Sequence, residues 1–523
     1  MTASAVDDPT KPVPWREKWS PGVLYKLFLY FAFCFIALDN LPNTLWDPQL
    51  RQITILIGAL GIWRYSWWFT HAIRAQIYAR RVYPRLRAKA DARWESGWRP
   101  RHVHFMMTTF REHREVTERV IQGICGQLRE MGTPGTLWLG SGDIYDEDII
   151  AEYLRLYARD LDLEFVMIRQ NQPGKRLAIG LVLRGMNRAK IADDDVIVFM
   201  DGDSILGPGC VQKCASLFQI DPELQVVTTD EEVICFGPAW VRTWLNMRFA
   251  QRRIAMQSHA LSGKVLTLTG RMSVFRAKHL ANTQFIRLLE ADHLDHWLWG
   301  RFRFLSGDDK STWYYMLLQS AKLLYVPDAM AYTVEYVAGT GFDRMVQNFR
   351  RWSGNMLRNG SRALALGPRR IGFFIWWCLL DQRLAMWTML VSPILAMMTA
   401  TLYSASYIVS YAIWIAISRM ALSIVLFFYS RRVDLNFAWI LYFNQLLNSS
   451  VKVYCLFRLS KQRWSNRGDQ RSDNGVGMVE TLRNAMAFYL TTLYVSILAL
   501  TVISYSGLLD LPGLRIAHAL LLG

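Results

Sequence analysis

Apolar segments of bilayer length near both ends of the chain constrain its fold most. Val23–Leu38 and Ile53–Thr70 lie near the start, and Met386–Tyr403, Tyr407–Tyr429 and Ala487–Ser504 near the end. Each is close to the ~20 residues that a helix needs to cross a hydrocarbon core. The spacing predicts two crossings within 1–97, a water-facing module over 98–368, and three crossings within 369–523. The polar start, with Pro12 and Pro14, lacks a small-residue cleavage site, so the first apolar segment is expected to remain as an anchor.

Charge fixes the orientation. The chain has 523 residues, is 52% hydrophobic with 21 Trp, and carries a formal charge of +17. Its positive excess lies beside the apolar segments, as in Arg74, Arg80, Arg81, Arg85, Arg87, Lys89 and Arg93. The positive-inside rule places that cluster and the module behind it in the cytoplasm, and a nucleic-acid partner is not expected. Ile371–Trp377 precedes Asp381-Gln382-Arg383 and reads as an amphipathic helix in the interface. Phe437–Leu459 holds Asn444, Gln445, Asn448 and Lys452, costly groups to expose to lipid, which predicts an in-plane or re-entrant position. The same reasoning assigns mid-segment Arg419 to a water-filled path rather than to lipid. The seven cysteines are scattered, and Cys210 and Cys214 have no second pair to complete a zinc site. They are expected to be reduced and structural.

Within the module, strand and helix patterns alternate. Strands are predicted over His102–Phe110, Thr136–Leu139, Leu163–Ile168 and Val196–Met200. Helices are predicted over Glu112–Glu130, Glu147–Tyr157, Lys175–Ala189 and Ser311–Ala321. Such alternation argues for a mostly parallel α/β sheet, whose ligands bind beyond the carboxyl ends of the strands.

Residues suited to one kind of chemistry gather at those ends. Val196–Leu206 runs from an apolar strand into Asp201-Gly202-Asp203, two carboxylates able to share one hard divalent cation, Mg2+ or Mn2+. Thr108–Glu112 and Asp143 end the first two strands and can hold a nucleotide, although ordinary loop polarity explains Asp143 equally well. Gly174-Lys175-Arg176 opens a helix where backbone N–H groups and two cations can meet a diphosphate. Ser306-Gly307-Asp308-Asp309 opens another; a cap requires one acid, and here there are two. Asp309 is the candidate general base and Asp308 its reserve. Arg351 and Trp352 can bind diphosphate and stack on a sugar, or belong to a basic juxtamembrane helix with an interfacial Trp.

Taken together, Asp201-Gly202-Asp203, Thr269-Gly270-Arg271, Gly307-Asp308-Asp309 and Arg351-Trp352, followed by apolar segments, resemble the processive family 2 glycosyltransferases. These synthesise cellulose, chitin, hyaluronan and alginate. The resemblance implies a GT-A-type sheet domain between N- and C-terminal transmembrane helices. It implies metal-binding Asp201 and Asp203, catalytic base Asp309 with Thr312 three residues on, and acceptor-site Arg351 and Trp352. It also implies a gating element at Trp464-Ser465-Asn466-Arg467, with Trp464 and Arg467 near the substrate. Two departures stand out. Gly140-Ser141-Gly142 occupies the place of the family's uridine-binding Asp-Asp-Gly, and Asn348 stands where a Gln is usual. With Gly61–Ala75, the altered nucleotide motif is most similar to the alginate polymerase branch. That branch implies GDP-mannuronate as donor, polymannuronate as product, the bacterial inner membrane as location, a cyclic di-GMP-sensing co-polymerase and periplasmic export proteins. A UDP-sugar polymerase, a non-processive polyprenyl-phosphate sugar transferase and a transporter with a regulatory domain are the competing expectations.

Overall fold

A computed structural model describes residues 15–40, 51–172, 174–337, 339–464, 470–471 and 477–506. It divides into two compact units, one including His71–Leu379 and the segment from Leu459, the other including the apolar helices up to Thr70 and from Leu380.

The first unit is built on an eight-stranded sheet. Its strands are β1 (Val103–Thr109), β2 (Gly135–Ser141), β3 (Leu163–Arg169), β4 (Val196–Asp201), β5 (Ser204–Leu206), β6 (Leu224–Phe236), β7 (Met272–Arg276) and β10 (Lys322–Tyr336). The order is β3-β2-β1-β4-β7-β6-β10-β5. Parallel pairing runs from β3 to β4 and between β6 and β10, while β7 is antiparallel to both neighbours. A separate hairpin joins β8 (His293–His296) to β9 (Gly300–Arg303). All residues of β1 and β2 are buried, because helices cover both faces of a parallel sheet and its strands become continuous apolar runs. The strand order reverses at β1, where β2 lies on one side and β4 on the other. That reversal opens a crevice at the carboxyl ends of β1 and β4.

The alternating pattern is thus realised with boundaries shifted by up to three residues. The unit also reaches further than 98–368. Tyr78 Oη donates to the Tyr325 carbonyl at 2.6 Å, and Arg87 Nη1 to the Lys213 carbonyl at 2.7 Å, which fastens the segment after His71 onto the sheet.

Among the described residues, four helices are long and apolar enough to cross a membrane: Arg16–Asp39, Phe373–Leu402, Ser406–Tyr429 and Met478–Ser504. Ile53–Thr70, expected as a crossing, is not one of them. It lies in the helix Arg51–Ile77, whose Arg64 lowers its hydropathy. That arginine is nevertheless matched, pairing with Asp381 at 2.7 Å, and Ile53 packs with Leu395, Tyr407, Ile415 and Val502 in the core of the second unit. Ile371–Trp377 is not a separate interfacial helix either. Gly372 turns the chain at φ +86°, and Phe373 starts a helix that runs unbroken through Asp381. The ion pair with Arg64 removes the reason to break there. Arg419 is likewise engaged, donating to Gln445 Oε1 at 2.9 Å and Tyr65 Oη at 2.5 Å. A charge within an apolar helix is tolerable when so partnered.

Candidate active site

Register brings the first two site residues together. Thr108 on β1 lies opposite Asp201 on β4, and Gly202 donates from its backbone N–H to the Thr108 carbonyl at 2.9 Å. A Cβ on Gly202 would lie 2.8 Å from Thr109 Cβ, so only glycine lets the turn between Asp201 and Asp203 press against β1. The cleft at this point, open to solvent, has about 360 Å³ of space and is lined by Thr108, Lys175, Asp201, Gly270, Asp308 and Asp309, among others.

Lys175 is its electrostatic centre. The ammonium lies 2.6 Å from Asp201 Oδ1 and 2.9 Å from Asp308 Oδ2, and the side chain is only 7% exposed. A cation held between two carboxylates shows that these oxygens collect positive charge. Gly270 contributes no side chain; the place its Cβ would take is 3.5 Å from Asp201 Oδ2. Asp201 Oδ2, beside the place that Gly270 leaves without a side chain, is a hard oxygen that fits a divalent cation, and Asp203 follows it across the Gly202 turn.

The Gly307 turn presents the second pair of acids. Gly307 adopts φ +83°, and any Cβ there would meet Asn355 Cγ at 2.7 Å. Ser306 Oγ donates to Asn355 Oδ1 at 3.0 Å, which pins the turn to the helix Gly341–Ala365. Asp308 and Asp309 then occupy the first turn of the helix Asp308–Leu318, where the helix dipole favours negative charge. Their environments drive them apart. Burial opposes the ionisation of Asp308, but the charges of Lys175 and Arg176 outweigh it and hold its carboxyl below the usual range. Burial, reinforced by the charge of Asp308, raises Asp309. Two carboxyl groups split in this way can divide charge stabilisation and proton transfer between them. Thr312 Oγ1 donates to the Asp308 carbonyl at 2.8 Å.

Other sequence-predicted residues lie elsewhere. Arg176 does not face the cleft. It is buried, donating to the carbonyls of Leu289 at 3.0 Å and Ser306 at 3.1 Å and to Ser311 Oγ at 2.9 Å, so it braces the Gly307 turn from behind. Asp143 caps the helix Ile144–Tyr157, accepting from Tyr145 N at 3.0 Å, and pairs with the exposed Arg111 at 2.8 Å. Of the two readings, loop polarity accounts for its contacts. Glu112 follows β1 in the loop whose backbone N–H groups at 111 and 112 turn toward Asp146. Arg351 is close enough to Asp309 to feel its charge. Trp352 stacks on Trp244 with ring centroids 6.1 Å apart. Trp464 falls in a two-residue strand and its side chain, with the whole of Arg467, lies outside the described residues.

Two acids missed in the sequence organise the site. Asp146 is 2% exposed and accepts from Arg111 N at 2.6 Å, ordering the loop after β1. Glu231 on β6 accepts from Thr269 Oγ1 at 2.6 Å and pairs with Arg271 and Arg252, each at 2.9 Å, so it fixes Thr269-Gly270-Arg271 beside Asp201. Although burial opposes its charge, those two arginines hold Glu231 at about 2. The acidic run Asp230-Glu231-Glu232 inside an otherwise apolar strand is the signal that reveals it.

Residues 100–355 match the family described as glycosyltransferase like family 2. The chain is 37% identical over 436 residues to "Glycosyltransferase alg8" of Pseudomonas syringae pv. tomato, covering 83% of this chain and 88% of that one. It is 34% identical over 495 residues to "Glycosyltransferase alg8" of Azotobacter vinelandii, covering 93% and 100%. Among solved structures, a mannosyltransferase of Pyrobaculum calidifontis in complex with GDP-Man and Mn2+ aligns with a TM-score of 0.49 at 15% identity, over 76% of this chain and 97% of that chain.

Proposed function

The chain belongs to glycosyltransferase family 2, and we propose that it polymerises mannuronate from GDP-mannuronate and passes the product across the bacterial inner membrane. The observation that carries this reading is the meeting of Asp201, Lys175, Asp308 and Asp309 in one cleft at the strand-order reversal. Relatives named alg8 cover most of the chain, and four helices of bilayer length accompany the cleft-bearing unit.

Transfer proceeds with inversion. Asp309 accepts the proton of the acceptor hydroxyl as that oxygen attacks the anomeric carbon from the face opposite the diphosphate. The neighbouring Asp308 stays ionised against Lys175, so its charge favours protonation of Asp309 at that step. Asp201 and Asp203 would hold Mg2+ or Mn2+, which when bound supplies Lewis-acid stabilisation of the departing diphosphate. Lys175 adds positive charge to the same oxygens. Thr108 and Glu112 border the nucleoside, and Arg351 and Trp352 line the acceptor side. The catalytic unit faces the cytoplasm, where nucleotide sugars are made. A cyclic di-GMP-sensing co-polymerase and periplasmic export proteins complete the assembly.

Membranes containing the full chain, incubated separately with GDP-mannuronate and with UDP-sugars, test the proposal. Polymer from GDP-mannuronate alone is the expected product. Polymer from a UDP-sugar would refute the donor, and a single glycolipid would refute processive synthesis.

A further inference from the structure

Outside the cleft, three distant parts of the sequence bring His71, His259 and Cys378 together, with one potential ligand atom from each lying within 4.8 Å of the others. His71 lies in the C-terminal part of the helix Arg51–Ile77, His259 is next to last in Ala239–Ala260, and Cys378 sits in the first turns of Phe373–Leu402. His259 and Cys378 are buried. His71 Nε2 is 4.0 Å from Cys378 Sγ, and the two imidazole rings meet edge to face at 5.3 Å.

An independent observation points to a ligand. His259 is 4% exposed, and its Nδ1 has no hydrogen-bond partner among the described residues. A buried, unsatisfied imidazole nitrogen carries a desolvation cost of about 1–3 kcal/mol unless something binds it. A neutral imidazole offers such a nitrogen lone pair to a Lewis acid. His71 is already oriented: its Nδ1 lies 2.9 Å from Ser258 Oγ, leaving Nε2 on the side of the cysteine. Metal-binding histidines characteristically use their second nitrogen in this way.

We propose that His71, His259 and Cys378 bind a thiophilic first-row cation, Zn2+ in the first instance, as a structural site separate from the sugar-transfer cleft. Two imidazoles and a thiolate suit Zn2+, with water as the fourth ligand. Bonds of about 2.0–2.3 Å require ligand atoms roughly 3.3–3.8 Å apart, so the three side chains must close by about 1 Å. On binding, the Cys378 S–H bond breaks, its proton leaves to solvent, and the sulfur electron pair forms the S–Zn bond. The new thiolate offsets the cation and the nearby Arg74, whose guanidinium is engaged by Ser258 O, Ser262 Oγ and the ring of Phe374. The ion would cross-link three helices that are remote in sequence.

The test uses the purified full-length protein in detergent, stripped with EDTA, equilibrated with Zn2+ and measured for retained metal. One tightly held zinc per chain is expected. Loss of a second-sphere partner alone weakens metal sites 10–100-fold, so Cys378→Ser and His259→Gln should each weaken retention by at least about 100-fold. Should either variant retain zinc like the native chain, the proposal is overturned. Co2+ loaded into the native protein provides a reading independent of how the variants fold. A thiolate-to-cobalt charge-transfer band supports the site, and its absence refutes it.

Discussion

Asp309→Asn separates proton transfer from donor binding. The amide keeps the shape of the carboxylate but cannot accept the acceptor's proton. In the cleft, Lys175 forms its ion pairs with Asp201 at 2.6 Å and Asp308 at 2.9 Å rather than with Asp309. The substitution therefore leaves the central charge cluster intact, and with it the groups assigned to the diphosphate. A positioned general base contributes about 10²–10⁴-fold, so kcat should fall by that factor, equivalent to roughly 3–5 kcal/mol in the barrier. The Kd for GDP, measured by titration calorimetry with Mn2+ present, should change by less than about threefold on the same reasoning. Initial-rate assays with labelled GDP-mannuronate supply the other half. Loss of GDP binding, or transfer within about tenfold of native, would refute the assignment of the base.

Four further outcomes concern the buried charges. With Asp309 as the proposed base and its carboxyl raised by burial and by Asp308, activity should rise with pH through a limb above the usual carboxylate range; an acid limb at an ordinary Asp value would contradict this. Glu231→Gln leaves Arg252 and Arg271 without their buried counter-charge, which should cost about 3–5 kcal/mol and appear as a large drop in thermal midpoint. In the native chain, Glu231 is depressed from an ordinary 4.5 to about 2, so its stabilisation is present above pH 4.5 and disappears as pH falls toward 2. Replacing both members of the Arg64–Asp381 pair with apolar residues should destabilise less than replacing either alone, since one survivor is an unpaired charge among apolar helices; additive single losses would count against a coupled pair.

What the sequence made legible depended on whether neighbours in space were neighbours in the chain. Apolar runs of β1, β2 and β4 announce themselves because their burial on both faces needs no knowledge of what covers them. Asp201-Gly202-Asp203 and Gly307-Asp308-Asp309 are readable because each turn and its acids are contiguous. Arg176 was not, since the acceptors that claim it belong to residues 289, 306 and 311. Lys175, one residue earlier, lies among the acids, and no local pattern distinguishes the two cations. Asp143 reads as a site residue because it directly follows the strand, yet the buried acid is Asp146, a turn later. The break expected at Asp381 is absent because its partner, Arg64, is 317 residues away.

A crystallographic or cryo-EM structure with GDP and Mn2+ bound tests the central claim most directly. Manganese is expected on the carboxylates of Asp201 and Asp203, with the Lys175 ammonium within hydrogen-bonding distance of the diphosphate and Asp309 facing the open end of the cleft. Manganese bound away from those two aspartates, or a nucleotide seated outside the β1–β4 crevice, would contradict it.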